Sequence, residues 1–222
     1  MKSPMFYFML PALLSFAGPL FAQNMHASGA TVYRIDDKAS EVRFLVYRGG
    51  LLAMLGHNHV IRAHGISGEI DARPDEFSHS SFHLSIPIED FEVDKPVDRA
   101  KEGKDFAKQP SDNAISETRQ HMLSDRVLDA TRYPIIKVRS VSVSGNPGSA
   151  LLVIRITLHG ISKDITVPTR IEVTGQRLVA DGNFRISQKQ FDIKPFTAAA
   201  GTLRVKDEVR VRFNLVAKEV TD

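Results

Sequence analysis

The clearest alternation of apolar and polar positions lies in residues 151–168, LLVIRITLHGISKDITVP. Polar Arg155 and Thr157 separate apolar residues that share one parity, namely Leu152, Ile154, Ile156 and Leu158. A period of two residues is typical of a β-strand with one buried face. Residues 159–164 supply glycine and polar turn chemistry, and the alternation then resumes. The segment therefore predicts a β-hairpin whose turn spans residues 159–164.

Alternating segments of this kind recur along most of the chain, and a parity shift between Val138 and Val141 predicts a bulge. The pattern predicts an all-β fold, an extended antiparallel barrel of about eight strands. A barrel of that size is either packed solid or holds one small or slender ligand, and both kinds use the same alternation. The residues predicted to face the lumen are Phe44, Val46, Phe82, Leu84, Ile86, Ile136, Val138, Leu152, Ile154, Ile156, Phe184, Ile186, Phe191 and Phe213.

The strand pattern is interrupted between about residues 89 and 128. This segment is polar, and its apolar residues follow no strand period. Residues 114–123 have helix-like spacing instead. We predict a partly helical excursion from the barrel, not a separate domain. Loops of this length in a compact domain are usually functional lids or mobile segments.

The amino-terminal residues predict export. Residues 1–22 begin with a positive charge, continue with an apolar run and end at a small residue, which is the pattern of a cleaved secretory signal peptide. The alternative is an uncleaved membrane anchor, but the run is shorter than the ~20 residues that a bilayer requires, and Pro11 interrupts it. We predict a flexible lead-in over residues 23–32, a single domain over residues 33–218 and a periplasmic location.

Composition narrows the chemistry. The 222 residues include no cysteine, which excludes disulfides, thiolate metal sites and thiol catalysis. The net charge of +3 comes from mixed acidic and basic residues, so we predict no nucleic-acid binding. No nucleophile motif or glycine-rich phosphate loop is present, so we predict that the protein is not an enzyme.

His57 and His59 are the clearest candidates for metal chemistry. At i and i+2 in a strand their side chains share a face, which suits two imidazoles on Zn²⁺, Cu²⁺ or haem iron. Side chains that would complete a ligand set are His64, His121, Glu69 and Asp71. The alternative is a polar turn that bonds backbone groups or lines the barrel mouth. Because a single H-x-H is a weak signal, no metal site is predicted, and a metal- or haem-linked redox accessory stays an alternative function.

Several short segments occur in a characteristic order: 33–36, 40–44, 65–70, 119–123, 133–134, 158–165, 191–193 and 205–209. Their order and spacing resemble the YceI-like family of lipocalin-like, polyisoprenoid-binding periplasmic proteins. The resemblance covers residues 33–218. It departs from the family pattern at residues 55–61, where an aromatic-rich strand is usual, and in a longer polar insertion at about residues 95–117. Both departures are expected near one mouth of the barrel.

The resemblance implies a barrel that holds an isoprenoid chain, such as a quinone tail, without catalytic residues or a required cofactor. A prenyl chain offers no hydrogen bonds, so its affinity must come from buried apolar area, at about 25 cal/mol for each Å². We therefore predict a periplasmic carrier or reservoir for an isoprenoid or similar amphiphile. A stress-associated envelope domain without a stable ligand is a second alternative. The sequence leaves the oligomeric state open, a dimer included.

Arg119 and His121 lie in one of the family-like segments. Together with His57 and His59 they form the set predicted to contact a ligand head group or to line the mouth. The alternative for Arg119 is structural, in which its guanidinium pairs with a carboxylate and anchors the helical excursion to the barrel. We favour that structural role.

Overall fold

A computed structural model describes residues 29–221, apart from the side chain of Ala199. The predicted signal peptide and the first part of the predicted lead-in lie outside these residues. The described chain contains strands β1 (Thr31–Ile35), β2 (Glu41–Gly49), β3 (His59–Arg62), β4 (Ser67–Ala72), β5 (Ser81–Pro87), β6 (Glu92–Val93), β7 (Ile135–Asn146), β8 (Ser149–Leu158), β9 (Ile161–Thr174), β10 (Arg177–Ser187), β11 (Thr197–Ala198) and β12 (Leu203–Glu219), and helices α1 (Pro96–Ala100) and α2 (Asp112–Leu123).

Eight of these strands close into an antiparallel barrel in the order β1, β4, β5, β7, β8, β9, β10 and β12, with β12 returning to β1. Closure pairs Tyr33 with Glu219 at the two ends of the domain. The 17-residue β12 also pairs with β2, which continues through β3 to β6 as an added flap. The predicted all-β barrel is therefore confirmed, with four extra strands in the described range. The predicted bulge is confirmed too, since the β7–β8 register shifts between Ser140 and Ser142.

The β8–β9 hairpin has a shorter turn than the sequence predicts. Only His159 and Gly160 form the turn, with φ of 52° and 76°, as a two-residue hairpin loop requires. A side chain at Gly160 would also meet the Tyr133 ring at 2.7 Å. The predicted turn over residues 159–164 is wrong because residues 161–164 already belong to β9, where Ser162 and Asp164 face outward. There Asp164 pairs with Arg155 at 2.6 Å across the sheet.

The excursion between β5 and β7 contributes a strand to the same sheet, because β6 pairs with β3. Ser111 caps α2 by accepting a hydrogen bond from the Ala114 backbone N–H. Met122 on α2 is buried, and Ile115 and Leu123 pack against the barrel core. The predicted helical residues 114–123 fall within α2. This helix therefore covers one end of the barrel.

The helix α1 and its flanks are held against the outer face of β2, β3 and β12 by ion pairs. Asp98 lies 3.3 Å from Arg62, and the Glu102 carboxylate lies 2.9 Å from both Arg43 and Arg212. The side chain of Glu102 is fully buried. We call this set the ionic interface: Asp94, Asp98, Arg99 and Glu102, with their partners Arg43, Arg62 and Arg212.

Candidate functional site

The inward-facing side chains of the barrel strands enclose a cavity, which we call the first chamber. It has about 1130 Å³ of empty space, including open solvent at its opening. Its wall consists almost wholly of aliphatic and aromatic side chains. The polar side chains in that wall are Ser80, Ser81 and Thr169. A wall of this composition is typical of sites that take small apolar or amphipathic molecules.

A second chamber, with about 1000 Å³ of empty space on the same basis, lies under α2. It differs from the first chamber in chemistry, because several polar side chains reach its wall. They are His59, Thr118, His121 and Gln188. The remaining lining is apolar and includes Phe196, whose ring lies 5.0 Å from that of His121.

The two chambers adjoin. Four side chains line both, and we call this set the waist: Phe44, Ile136, Leu158 and Ile186. The Phe44 ring lies 5.3 Å from that of Phe91, which itself lines the second chamber. The barrel therefore has one lumen in two parts, with hydrogen-bonding groups concentrated at the α2 end.

Of the residues predicted to face the lumen, all but Phe191 line at least one chamber. These are Phe44, Val46, Phe82, Leu84, Ile86, Ile136, Val138, Leu152, Ile154, Ile156, Phe184, Ile186 and Phe213. Phe191 instead ends the 3-10 helix Gln188–Phe191, fully buried in the protein core and outside both linings. The role of these residues in ligand binding stays a prediction.

Two kinds of lining residue lie outside the set predicted from the sequence. Val211 and Leu178 share strand parity with residues that were named, so the two-residue period was sufficient to find them. Met122, Val127 and Leu128 come from α2 and the segment after it, where no strand period applies. This part of the wall of the second chamber therefore could not be predicted from alternation.

The predicted mouth residues are divided by the structure. His59 and His121 line the second chamber, whereas His57 lines neither chamber. Arg119 donates hydrogen bonds to the backbone carbonyls of Glu89, at 2.6 Å, and Phe91, at 3.4 Å. The expected carboxylate partner of Arg119 is therefore wrong, although its guanidinium does tie α2 to the segment that carries β6.

His57 and His59 do not stand side by side in one strand, because β3 begins at His59. Their ring centres are 6.4 Å apart, at an interplanar angle of 59°. Three of the four side chains suggested as further ligands are engaged elsewhere: His64 with Glu92, Glu69 with Arg34 and Asp71 with Arg73. Among residues 29–221 no three histidine or carboxylate side chains converge into a metal-ligand set.

The segment instead forms the polar turn that was the alternative. The Asn58 side chain accepts a hydrogen bond from the Arg48 backbone N–H at 3.0 Å and donates to the Asp105 carbonyl at 2.9 Å. Burial, followed by the nearby positive charge of Lys108, lowers the pKa of His57 from its ordinary value. Both effects favour the neutral form of the His57 imidazole.

Asp94 fixes the orientation of His59. Asp94 is fully buried, and its Oδ2 lies 2.6 Å from His59 Nδ1. Its Oδ1 accepts hydrogen bonds from the Val60 backbone N–H, at 2.9 Å, and from Arg99. Burial alone would raise the pKa of Asp94. The hydrogen bond and charge of His59, the Val60 N–H and the Arg99 charge outweigh burial, so the pKa of Asp94 lies below its ordinary value.

The ionised Asp94 carboxylate can only accept, so His59 Nδ1 must be the donor. The Nε2 atom is then the ring nitrogen left over, and it makes no hydrogen bond to any residue in the described range. Because His59 lines the second chamber, the chain positions one oriented imidazole at the polar end of an apolar lumen.

Sequence comparison agrees with the earlier resemblance. A family model described as "YceI-like domain" matches residues 33–217. No curated protein matches the chain significantly. No helix in residues 29–221 has the length and hydrophobicity needed to cross a bilayer.

Several solved structures share the fold. The crystal structure of BcnA from Burkholderia cenocepacia has a TM-score of 0.62 at 17% identity, covering 83% of this chain and 99% of the other. A polyisoprenoid binding domain from Saccharophagus degradans, implicated in plant cell wall breakdown, has a TM-score of 0.57 at 14% identity, covering 86% and 100%. A Campylobacter jejuni YceI protein has a TM-score of 0.52 at 15% identity, covering 73% and 85%.

Proposed function

This chain belongs to the YceI-like family, and on that premise we propose that it binds and carries an isoprenoid, quinone-like or polyprenyl, or a similar amphiphilic lipid in its lumen. The observation that carries the proposal is the pair of adjoining, largely apolar chambers, with imidazole and amide side chains only in the chamber under α2. The Saccharophagus degradans structure of the same fold is described as a polyisoprenoid binding domain, which supports the same ligand class here.

The chemistry of the two chambers suggests how such a lipid would lie. A prenyl tail gains free energy from buried area alone, so the almost wholly carbon wall of the first chamber suits the tail. A carbonyl or hydroxyl head group needs hydrogen bonds, which His59, His121 and Gln188 can offer in the second chamber. We therefore expect the chain of the lipid to pass the waist, with its head group under α2.

In this proposal the protein is a carrier or reservoir and performs no chemistry on its cargo. We assign it to the periplasm on the strength of the amino-terminal pattern, which predicts export. Affinity would come from the fit of the tail, and selection among lipids from the head group.

The test compares two substitutions on adjacent residues of β7. Ile136 belongs to the waist, whereas Ile135 is exposed on the outer face of the same strand. We expect lipid extraction and native mass spectrometry to recover an apolar lipid from the protein purified from its own periplasm. The Ile135→Trp variant should carry the same load, and Ile136→Trp should carry little, because the indole blocks the waist.

Circular dichroism melting curves provide the folding control, since a Trp at the waist must leave the barrel intact for the comparison to hold. If a folded Ile136→Trp protein retained the full lipid load, or if the unsubstituted protein yielded no lipid, lumenal carriage would be overturned.

A further inference from the structure

The connection between β2 and β3 exposes a cluster of large apolar side chains to solvent. In this segment, the apolar loop (residues 50–56), the exposed fractions are 90% for Leu51, 76% for Met54, 67% for Leu55 and 39% for Leu52. Eleven large hydrophobic residues are exposed in the described chain, and four of them fall in these few positions. Single exposed apolar residues need no explanation, but a cluster of this kind marks a protein or membrane contact.

The apolar loop is held in shape by the barrel. The Leu52 backbone N–H donates to the Thr202 carbonyl at 3.0 Å, and Arg48 donates to the Gly56 carbonyl at 2.6 Å. Gly50 has a φ of 91°, and a side chain there would meet the Thr202 carbonyl oxygen at 2.4 Å. With both ends fastened and residues 53–55 in a 3-10 turn, the exposed side chains are presented outward by a fixed backbone.

Basic side chains flank the apolar loop without acidic partners. Arg204 pairs with Gly49 in the β2–β12 register, and the Lys206 side chain lies beside the same glycine. Within the described residues, Arg48, Arg204 and Lys206 form no ion pair, in contrast to cations elsewhere on the barrel such as Arg155. Apolar side chains beside unpaired cations match the interface of a bilayer that carries anionic lipids.

The apolar loop also lies beside the second chamber. Val205, which lines that chamber, pairs with Arg48 at the end of β2. Leu203, two residues earlier, approaches Gly56 so closely that a side chain there would lie 2.8 Å away. The exposed cluster is therefore built on the same strand ends that form the polar end of the lumen.

We propose that the apolar loop is a membrane-docking element. Leu51, Met54 and Leu55 insert among the lipids of an anionic bilayer, while Arg204 and Lys206 contact lipid phosphates. Docking holds the second chamber at the bilayer surface. Only the further step, passage of cargo between bilayer and lumen, rests on the proposed function.

A second copy of this chain fits the same surface less well. In a two-fold contact each subunit would present the same patch, which would bring the unpaired cations of both copies together. A bilayer with anionic lipids would bury the apolar cluster and neutralise the cations, so the observations favour it over self-association.

The test is flotation of the protein purified from the periplasm with vesicles of phosphatidylethanolamine and phosphatidylglycerol, beside vesicles of phosphatidylcholine alone. We expect binding to the anionic vesicles, reduced by salt. Replacing Leu51, Met54 and Leu55 together by Ser should weaken binding by about tenfold or more, because the inserted apolar area is lost. The matched control replaces three exposed apolar residues on barrel strands, in the triple variant Val141→Ser, Leu151→Ser and Val173→Ser, and should bind normally.

A charge variant, Arg204→Gln with Lys206→Gln, should lose the preference for anionic vesicles while keeping the apolar loop intact. Equal binding by the loop variant and its control would overturn the proposal. So would a concentration-dependent dimer that disappears in the loop variant without any vesicle binding. The lipid load of the purified loop variant is measured in parallel, so failure of docking and failure of lumenal carriage are seen separately.

Discussion

The lumen and the ionic interface are both withdrawn from water, but their side chains have opposite chemistry. The first chamber is walled by carbon, with hydroxyl groups as its few polar members. On the other side of the same strands, Asp94, Asp98 and Arg99 are between 0% and 3% exposed and are held by specific partners. Apolar contacts are non-directional and tolerate a guest, whereas paired ions hold only in one geometry.

The difference indicates a division of labour in the fold. Phe44 and Val46 of β2 face the lumen. Arg43, on the opposite face of the same strand, pairs with Glu102 in the ionic interface. One strand thus offers an adaptable surface inward and a fixed one outward. Because Asp94 belongs to the ionic interface and also orients His59, the ionic interface sets the position of the imidazole in the second chamber.

The largest expected effect comes from removing a carboxylate of the ionic interface. Asp94→Ala removes the partner of buried Arg99 and of His59, and we expect it to lower the free energy of unfolding by about 3–5 kcal/mol. Urea unfolding followed by circular dichroism measures this, since the chain has no tryptophan. Asp125→Ala, at an exposed position, is the control and should be near neutral. Equal effects of the two would contradict the assigned role of the ionic interface.

A pair of identical substitutions separates solid packing from a hollow wall. Leu45 is fully buried with Val60 and Phe106 on the outer face, whereas Leu152 borders the first chamber. In lipid-free protein, Leu45→Ala should cost about 3–5 kcal/mol and Leu152→Ala about 2 kcal/mol, because Leu152 borders the space of the first chamber. Denaturant unfolding of both variants decides this. A larger cost at Leu152 would mean that the lumen wall is packed as tightly as the core.

Low pH should destabilise the protein by protonating Asp94 in the ionic interface. The folded-state pKa of Asp94 lies below its ordinary value of 3.8, so its contribution is fully present above that value and is lost as pH falls through the lower, folded pKa. Each unit of difference corresponds to about 1.4 kcal/mol. We expect unfolding free energies measured between pH 5 and about pH 2 to fall more steeply in the unsubstituted protein than in Asp94→Asn. Parallel curves would show that Asp94 is not a source of the acid sensitivity.

The smallest effect is expected at the exposed ion pair between Arg155 and Asp164 on the β8–β9 hairpin. Its hydrogen bonds lower the pKa of Asp164, but the pair is open to water on the outer face. Asp164→Asn should therefore change the melting temperature only marginally, and the difference should vanish at high salt. If Asp164→Asn lowered the melting temperature as much as Asp94→Ala does, exposed and buried ion pairs would not differ in their contribution to stability.

The sequence was sufficient for the barrel because a two-residue period is a local signal. Ile154 and Ile156 reveal which face of β8 is inside without reference to any other strand. The same rule failed at residues 161–164, where outward polar residues look like turn residues until their cross-strand partners are known.

The ionic interface and the polar end of the lumen could not be predicted in this way. His59 meets Asp94 across 35 positions, and Arg43 meets Glu102 from the other side of the excursion. Arg119 bonds backbone carbonyls, which leave no trace in side-chain patterns. Contacts of this kind are set by how the excursion folds back, and a single sequence carries no periodic signal for them.

The pairing of Tyr33 with Glu219 has a kinetic consequence. Until the last strand is made, β1 and β10 each keep an unsatisfied edge, and no enclosed space exists for a guest to enter. Joining segments so distant along the chain is slow compared with forming hairpins. Seam formation between the two termini should therefore be the late step of maturation, and cargo can be taken up only by molecules that have completed it.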